Sequence, residues 1–182
     1  WNDTYDTFLG QEVVAWHRGP NEIETLVDLW DYTNLSDATW TPLKNTFTTT
    51  PIACSGDTSV SALDYHHCSS ASVGPSGDLL VALRNLDVVL CFAAGGGGGL
   101  RWTLASTDAM SDFAFGHDID KFYTPHSAVE LDDGRILLMD DGKSRPGCTV
   151  AQNYAGCWSR AALYSLDFGA MTVSLDWQFE DP

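Results

Sequence analysis

Two stretches of the chain repeat the same order of four short apolar segments, and this repeat constrains the fold more than any other feature. The first stretch runs from 70 to 104 and the second from 126 to 177. In both, β-forming runs are closed by Asp/Gly turns such as Gly77-Asp78 and Asp132-Asp133-Gly134. Four antiparallel strands repeated in tandem are typical of propeller blades. The sequence therefore predicts an all-β propeller of four-stranded antiparallel blades.

The individual strands are predicted from β-forming runs bounded by turn residues. Asp78–Arg84 and Val88–Ala93 should pair as a hairpin around Asn85-Leu86-Asp87. Glu22–Asp31 is an extended segment or a helix, and the glycine run Gly95–Gly99 is expected to be a flexible turn. The other predicted strands are Gln11–Trp16, Leu100–Leu104, Ser127–Leu131, Arg135–Met139, Ala161–Leu166 and Thr172–Phe179.

The length of the chain limits how much of a propeller it can form. We expect one domain over residues 1–182. A blade needs about 40–50 residues, so the chain supplies only three or four blades. We therefore expect an incomplete propeller that is part of a longer protein, and a protein partner could complete or cover it.

Acidic residues far exceed basic ones, with 25 Asp and Glu against 9 Lys and Arg and a net charge of −16. Such a surface repels phosphate backbones, which excludes nucleic acid as an expected partner. No apolar run approaches the roughly 18 residues of a membrane-spanning helix, so no membrane span is expected.

The cysteines indicate the compartment. Cys54 and Cys68 flank one polar loop and Cys148 and Cys157 flank another, and neither pair has the spacing of a zinc site. Two disulfides are the simpler interpretation, with free thiols as the alternative, while Cys91 is expected to be a buried thiol. With the glycosylation sequons, these pairs favour a secreted glycoprotein in an extracellular, periplasmic or luminal compartment; the sequons are Asn2-Asp3-Thr4 and Asn34-Leu35-Ser36.

Two histidines occupy matching places just before the first strand of successive repeats. These are His67 and His126, and in a propeller that position faces the central channel. Arg84 ends the second strand of the first repeat, where it could clamp an anion or pair with a carboxylate. An Arg beside two imidazoles suits sulfate or phosphate, and a neutral imidazole can attack or shuttle a proton. His66 should point away, because neighbours on a strand face opposite sides.

Other residues have competing interpretations. His117, Asp118 and His126 could form a metal site, which would make the chain a metal-dependent hydrolase, although such spacing is also common in loops. Arg160 is expected to be a structural hydrogen-bond donor. The tryptophans that recur near strand ends are expected to pack in the core.

Seven stretches in a characteristic order carry a family resemblance. They read DYHHCSS at 64–70, DLLVALRNLD at 78–87, LRWTL at 100–104, YTPHSA at 123–128, GRILLMDDG at 134–142, SRAALYSLD at 159–167 and VSLDWQF at 173–179. Over residues 64–179 the chain resembles the arylsulfotransferase (aryl-sulfate sulfotransferase, ASST) family. The family's His-x-Asn-Ser motif reads His67-Cys68-Ser69-Ser70 in this chain.

The resemblance implies a six-bladed β-propeller that acts outside the cytoplasm. It also implies sulfuryl transfer from an aryl sulfate donor to a phenol acceptor by a ping-pong route, through a histidine intermediate and without a nucleotide donor, metal or cofactor. By motif position His126 would be the nucleophile, and His67 and Arg84 would hold the sulfate oxygens. The alternative is a non-catalytic extracellular propeller module that serves as a structural or interaction subunit of a larger assembly.

Overall fold

A computed structural model of the chain describes residues 8–9, 13–19, 22–33, 62–63, 65–93, 99–149 and 156–180. Within these residues the structure is built from strands and short 3-10 turns, and no helix is long and apolar enough to cross a membrane. The strands are β1 (Phe8–Leu9), β2 (Val13–Gly19), β3 (Glu22–Asp28), β4 (Ala62–Leu63), β5 (Cys68–Val73), β6 (Leu79–Leu83), β7 (Val88–Phe92), β8 (Leu100–Ala105), β9 (Ala114–Phe115), β10 (Pro125–Glu130), β11 (Ile136–Asp140), β12 (Arg160–Asp167) and β13 (Thr172–Glu180).

The two sequence repeats form two antiparallel sheets, which confirms the predicted all-β, blade-like fold. The first sheet has the order β5-β6-β7-β8. The second has the order β10-β11-β12-β13-β9, in which the short strand β9 is added in parallel to β13. Apart from β9, each strand of the two sheets pairs antiparallel with its neighbour along the chain. The hairpin around Asn85-Leu86-Asp87 forms as predicted, with Leu79 opposite Phe92.

Shorter pairs precede the two sheets. β2 pairs with β3 in an antiparallel ladder, and β1 pairs with β4 in parallel. The ambiguous segment Glu22–Asp31 is extended up to Asp28 and then forms a 3-10 turn over Leu29–Asp31. The Asp28 carboxylate caps this turn by accepting the Trp30 N–H at 3.1 Å. Most of the predicted glycine turn lies outside the described residues.

Two apolar cores enclose the first sheet. One core lies between the two sheets and includes Leu80, Trp102, Phe122 and Tyr164. The other covers the opposite face of the first sheet, where Val27 and Leu29 contribute. As a result β6 and β7 are buried on both faces, which explains why their sequences are continuous apolar runs and not alternating ones.

The prediction that the strand-end tryptophans pack in the core holds for Trp102 and is wrong for Trp177. Trp102 lies in the core between the sheets, whereas Trp177 is 50% exposed. The β12–β13 ladder has a register shift. Tyr164 pairs with Leu175, but the preceding residue, Leu163, pairs with Trp177. A bulge adds one residue to a strand and reverses the faces of the residues beyond it. Trp177 is therefore turned to the outer face.

The cysteine predictions are resolved in part. Cys148 and Cys157 form a disulfide, as predicted. Cys91 is buried as predicted, and burial, with a smaller contribution from Asp78, raises the pKa of its thiol to about 12. Cys54 lies outside the described residues, so its pairing with Cys68 stays a prediction. Both glycosylation sequons likewise begin outside the described residues.

Candidate functional site

His67 and Arg84 lie at the same end of the first sheet. His67 directly precedes β5, and Arg84 directly follows β6 at the start of the 3-10 turn Arg84–Leu86. Because β5 and β6 are antiparallel, the start of one strand meets the end of the other. The His67 carbonyl oxygen accepts the Arg84 N–H at 3.1 Å, so the backbone fixes the two residues side by side.

Serine side chains bring the second sheet against this end of the first. The Ser69 hydroxyl of β5 donates to the Pro125 carbonyl of β10 at 2.7 Å, and the Ser72 hydroxyl donates to the Ala128 carbonyl at 2.7 Å. The two strands therefore run side by side in the same direction. His126, the second residue of β10, therefore lies at the edge of the sheets where His67 precedes β5.

The environment of His126 favours its neutral form. Its imidazole is partly buried, and this burial lowers its pKa below the ordinary value. Arg84, His67 and Lys143 are close enough to lower the pKa further, while Asp141 opposes them. A neutral imidazole keeps a lone pair on one ring nitrogen, and this lone pair is what a nucleophile or general base requires.

Arg84 is oriented without a carboxylate partner in the described part of the chain. Its Nη1 donates to the Asn85 side-chain oxygen at 3.0 Å, and the described residues place no carboxylate within ion-pair distance of it. The described residues therefore do not form the salt bridge that was the alternative for Arg84, and the anion-clamp interpretation stays a prediction.

Strained backbone is concentrated at this end of the sheets. Five residues other than glycine have positive φ among the described residues, and four of them belong to the segments that carry the site. Non-glycine residues reach this region at an energetic cost, and such strain persists where the surrounding structure holds it, often at functional sites. The four are His67 (φ 48°), Asp87 (φ 53°), Thr124 (φ 51°) and Ser127 (φ 52°).

Two charged residues at this end were missed from the sequence. Asp141 and Lys143 follow β11 and pair with each other at 2.9 Å. The Lys143 N–H also donates to the Thr124 hydroxyl at 3.0 Å, which holds the turn against the segment before His126. The available signal was their position, because the end of β11 must lie beside the start of the antiparallel strand β10.

Arg160 has the structural role that the sequence predicts. It is 1% exposed, its Nε donates to the Asp140 carboxylate at 3.0 Å, and it also binds the carbonyls of residues 119–121. Asp140 is fully buried and accepts a second ion pair from Arg145. Buried charges require such partners. This network supports the loops beneath the site.

The predictions for the other histidines have different outcomes. His66 is fully buried, its Nε2 lies 2.6 Å from the Thr33 hydroxyl, and its ring packs against Trp30, so it points away from His67 as expected. The alternative metal site is not formed. Asp118 pairs with Lys121 at 3.0 Å, and no group of three or more His, Cys, Asp or Glu side chains within the described ranges could hold a metal ion.

Comparison with known proteins identifies the family. The family model for arylsulfotransferase (ASST) matches residues 22–182, which is most of the chain and includes both sheets and every residue at this end. No curated protein matches the chain. Together with its antiparallel four-stranded sheets, the match shows that the chain belongs to the arylsulfotransferase family.

Proposed function

We propose that the chain transfers sulfuryl groups between phenolic compounds through a covalent intermediate on His126. The observation that carries this proposal is the convergence of His126, His67 and Arg84 at one edge of the two sheets, with burial and nearby cations holding His126 neutral. Family membership supports an aryl sulfate as donor and a phenol as acceptor.

The reaction requires two displacements at sulfur. In the first, an unprotonated ring nitrogen of His126 attacks the sulfur of the aryl sulfate. An N–S bond forms, and the bond between the sulfur and the aryl oxygen breaks. The electron pair leaves with the phenolate, which is then protonated. In the second, the oxygen of another phenol attacks the same sulfur and loses its proton. This step breaks the N–S bond and regenerates His126.

Arg84 and His67 would bind the non-reacting oxygens of the sulfuryl group. A guanidinium presents parallel N–H donors that match two oxygens of a tetrahedral anion, and a histidine N–H can serve a third. Negative charge is redistributed onto these oxygens in the transition state, where fixed donors stabilise it. The Arg84 guanidinium would also attract a sulfate ester to a protein whose net charge of −16 repels anions elsewhere.

The proposal is tested by incubating the full-length protein with an aryl sulfate and a phenol acceptor. Transfer should be accompanied by an acid-labile sulfohistidine that mass spectrometry locates at residue 126. His126→Ala should abolish both, and His117→Ala is the matched control, because His117 is exposed on the preceding loop. Full transfer activity in His126→Ala would contradict the proposal.

We also infer that the chain functions outside the reducing cytoplasm. Disulfides persist mainly in extracellular, periplasmic and luminal compartments, and Cys148–Cys157 is of the kind that closes a surface loop. Family membership supports the same inference.

A second candidate function is that of a non-catalytic propeller module in a larger assembly. One observation favours it: the outer face of the second sheet exposes Met139, Trp177 and Phe179, which are 39%, 50% and 60% exposed. Clusters of exposed apolar side chains commonly mark contacts with other proteins. The His126→Ala comparison separates the candidates, since a module would need no histidine intermediate.

A further inference from the structure

Asp87 connects the two sheets at the edge that carries the site. It follows the turn Arg84–Leu86, is 1% exposed and has left-handed backbone geometry. Its carboxylate accepts the Thr124 N–H, and both of its oxygens lie 2.7 Å from the Ser144 hydroxyl. Its own carbonyl accepts the Ser106 N–H at 3.1 Å. One side chain of the first sheet is thus bound to two loops that frame the second.

The partners of Asp87 are immediate neighbours of the site residues. Thr124 lies two residues before His126, and Ser144 directly follows Lys143. Asp87 itself lies three residues after Arg84. The carboxylate therefore joins the three segments that carry Arg84, His126 and Lys143.

We propose that Asp87 is a positioning residue, which sets the distance of Arg84 and Lys143 from the His126 imidazole. This inference rests on the proposed function, in which Arg84 binds sulfate oxygens while His126 attacks the sulfur. A carboxylate is suited to the task because both of its oxygens accept and neither donates. An asparagine fits the same volume and tolerates the same backbone geometry, but it replaces one acceptor oxygen with an amide that donates.

Kinetics provide the first test. Asp87→Asn should lower kcat by about 10–100-fold, because small misplacements of reacting groups cost about this much. The matched control is Asp133→Asn, which makes the same chemical change in an exposed turn at the opposite end of the second sheet. Thermal unfolding of both variants would show whether each is folded at the assay temperature, and Asp133→Asn should keep the wild-type kcat.

The His126 pKa provides a second test, which a merely stabilising role for Asp87 would not affect and which needs no catalysis. The titratable groups that act on this imidazole are Asp141, Arg84, His67 and Lys143. Removing the Asp87 charge alone would lower the His126 pKa. Moving Arg84 away would raise it, and the paired Asp141 and Lys143 would move together, so that their opposite effects on the imidazole partly cancel. We expect a rise in Asp87→Asn, measured by NMR titration of the imidazole.

The two tests separate the failure of this inference from the failure of the proposed function. A wild-type protein that transfers no sulfate would contradict the proposed function, and the titration would still decide the role of Asp87. If Asp87→Asn does not fold, Ser144→Ala removes one hydroxyl donor and should shift the His126 pKa in the same direction by less. A folded variant with an unchanged or lowered His126 pKa overturns the inference.

Discussion

The Ser69 hydroxyl donates a hydrogen bond to the Pro125 carbonyl oxygen at 2.7 Å, and this contact joins β5, which His67 directly precedes, to β10, which carries His126. Ser69 lies two residues after His67, and Pro125 directly precedes His126. Ser69 also stands where the family's motif has asparagine. In this chain a short hydroxyl therefore makes a contact between the sheets at that position.

Replacing Ser69 with alanine should loosen this contact. Ser69→Ala leaves the Pro125 carbonyl without this donor, and we expect the free energy of unfolding to fall by about 1 kcal/mol. Sulfuryl transfer should fall several-fold at temperatures where the protein stays folded, because the end of β5 next to His67 is held less firmly against β10. Urea unfolding and steady-state kinetics measure the two effects. Ser165→Ala, which removes an exposed hydroxyl bonded to Asp176, should change neither.

The pH dependence of transfer should report the His126 imidazole. Burial and nearby cations place its pKa below about 6.5, the ordinary value. Only the neutral form attacks, so kcat/KM should be level at neutral pH and should decline as the pH falls through the lowered pKa.

Two variants should move this acidic limb in opposite directions. Lys143→Gln removes a cation and should move the limb to higher pH, whereas Asp141→Asn removes an anion and should move it to lower pH. A limb unchanged in both variants would assign the titration to another group.

The sequence predicts the sheets well because their determinants are local. The apolar runs at 79–83 and 88–92 and the turn at 84–87 specify a hairpin from neighbouring residues alone. The outward turn of Trp177 could not be predicted, because the bulge that causes it depends on the register of β13 against β12. For Asp87 the sequence predicts only a turn residue, because its partners lie 37 and 57 residues away in the chain.

The Cys148–Cys157 disulfide should stabilise the folded protein. Its cysteines are nine residues apart, and closing a loop of this size contributes about 2–3 kcal/mol by restricting the unfolded chain. The double variant Cys148→Ser/Cys157→Ser should be destabilised by this amount in urea unfolding. Reductant should destabilise the wild type similarly and leave the double variant unchanged. Equal stability of the wild type with and without reductant would argue against this contribution.

Gly142 and Gly134 offer a matched test of the turn that carries Asp141 and Lys143. Both glycines have left-handed backbone geometry, with φ of 72° and 81°, so alanine at either should cost about 1–2 kcal/mol. A Cβ at Gly134 would meet no atom within 4 Å, whereas one at Gly142 would overlap the Trp158 carbonyl oxygen, which belongs to backbone and cannot easily move. Gly142→Ala should therefore cost about 1–3 kcal/mol more than Gly134→Ala. Only Gly142→Ala should impair sulfuryl transfer, because relieving the overlap displaces Asp141 and Lys143 from their places beside His126. Equal unfolding free energies for the two variants would show that the turn accommodates the added methyl group without moving.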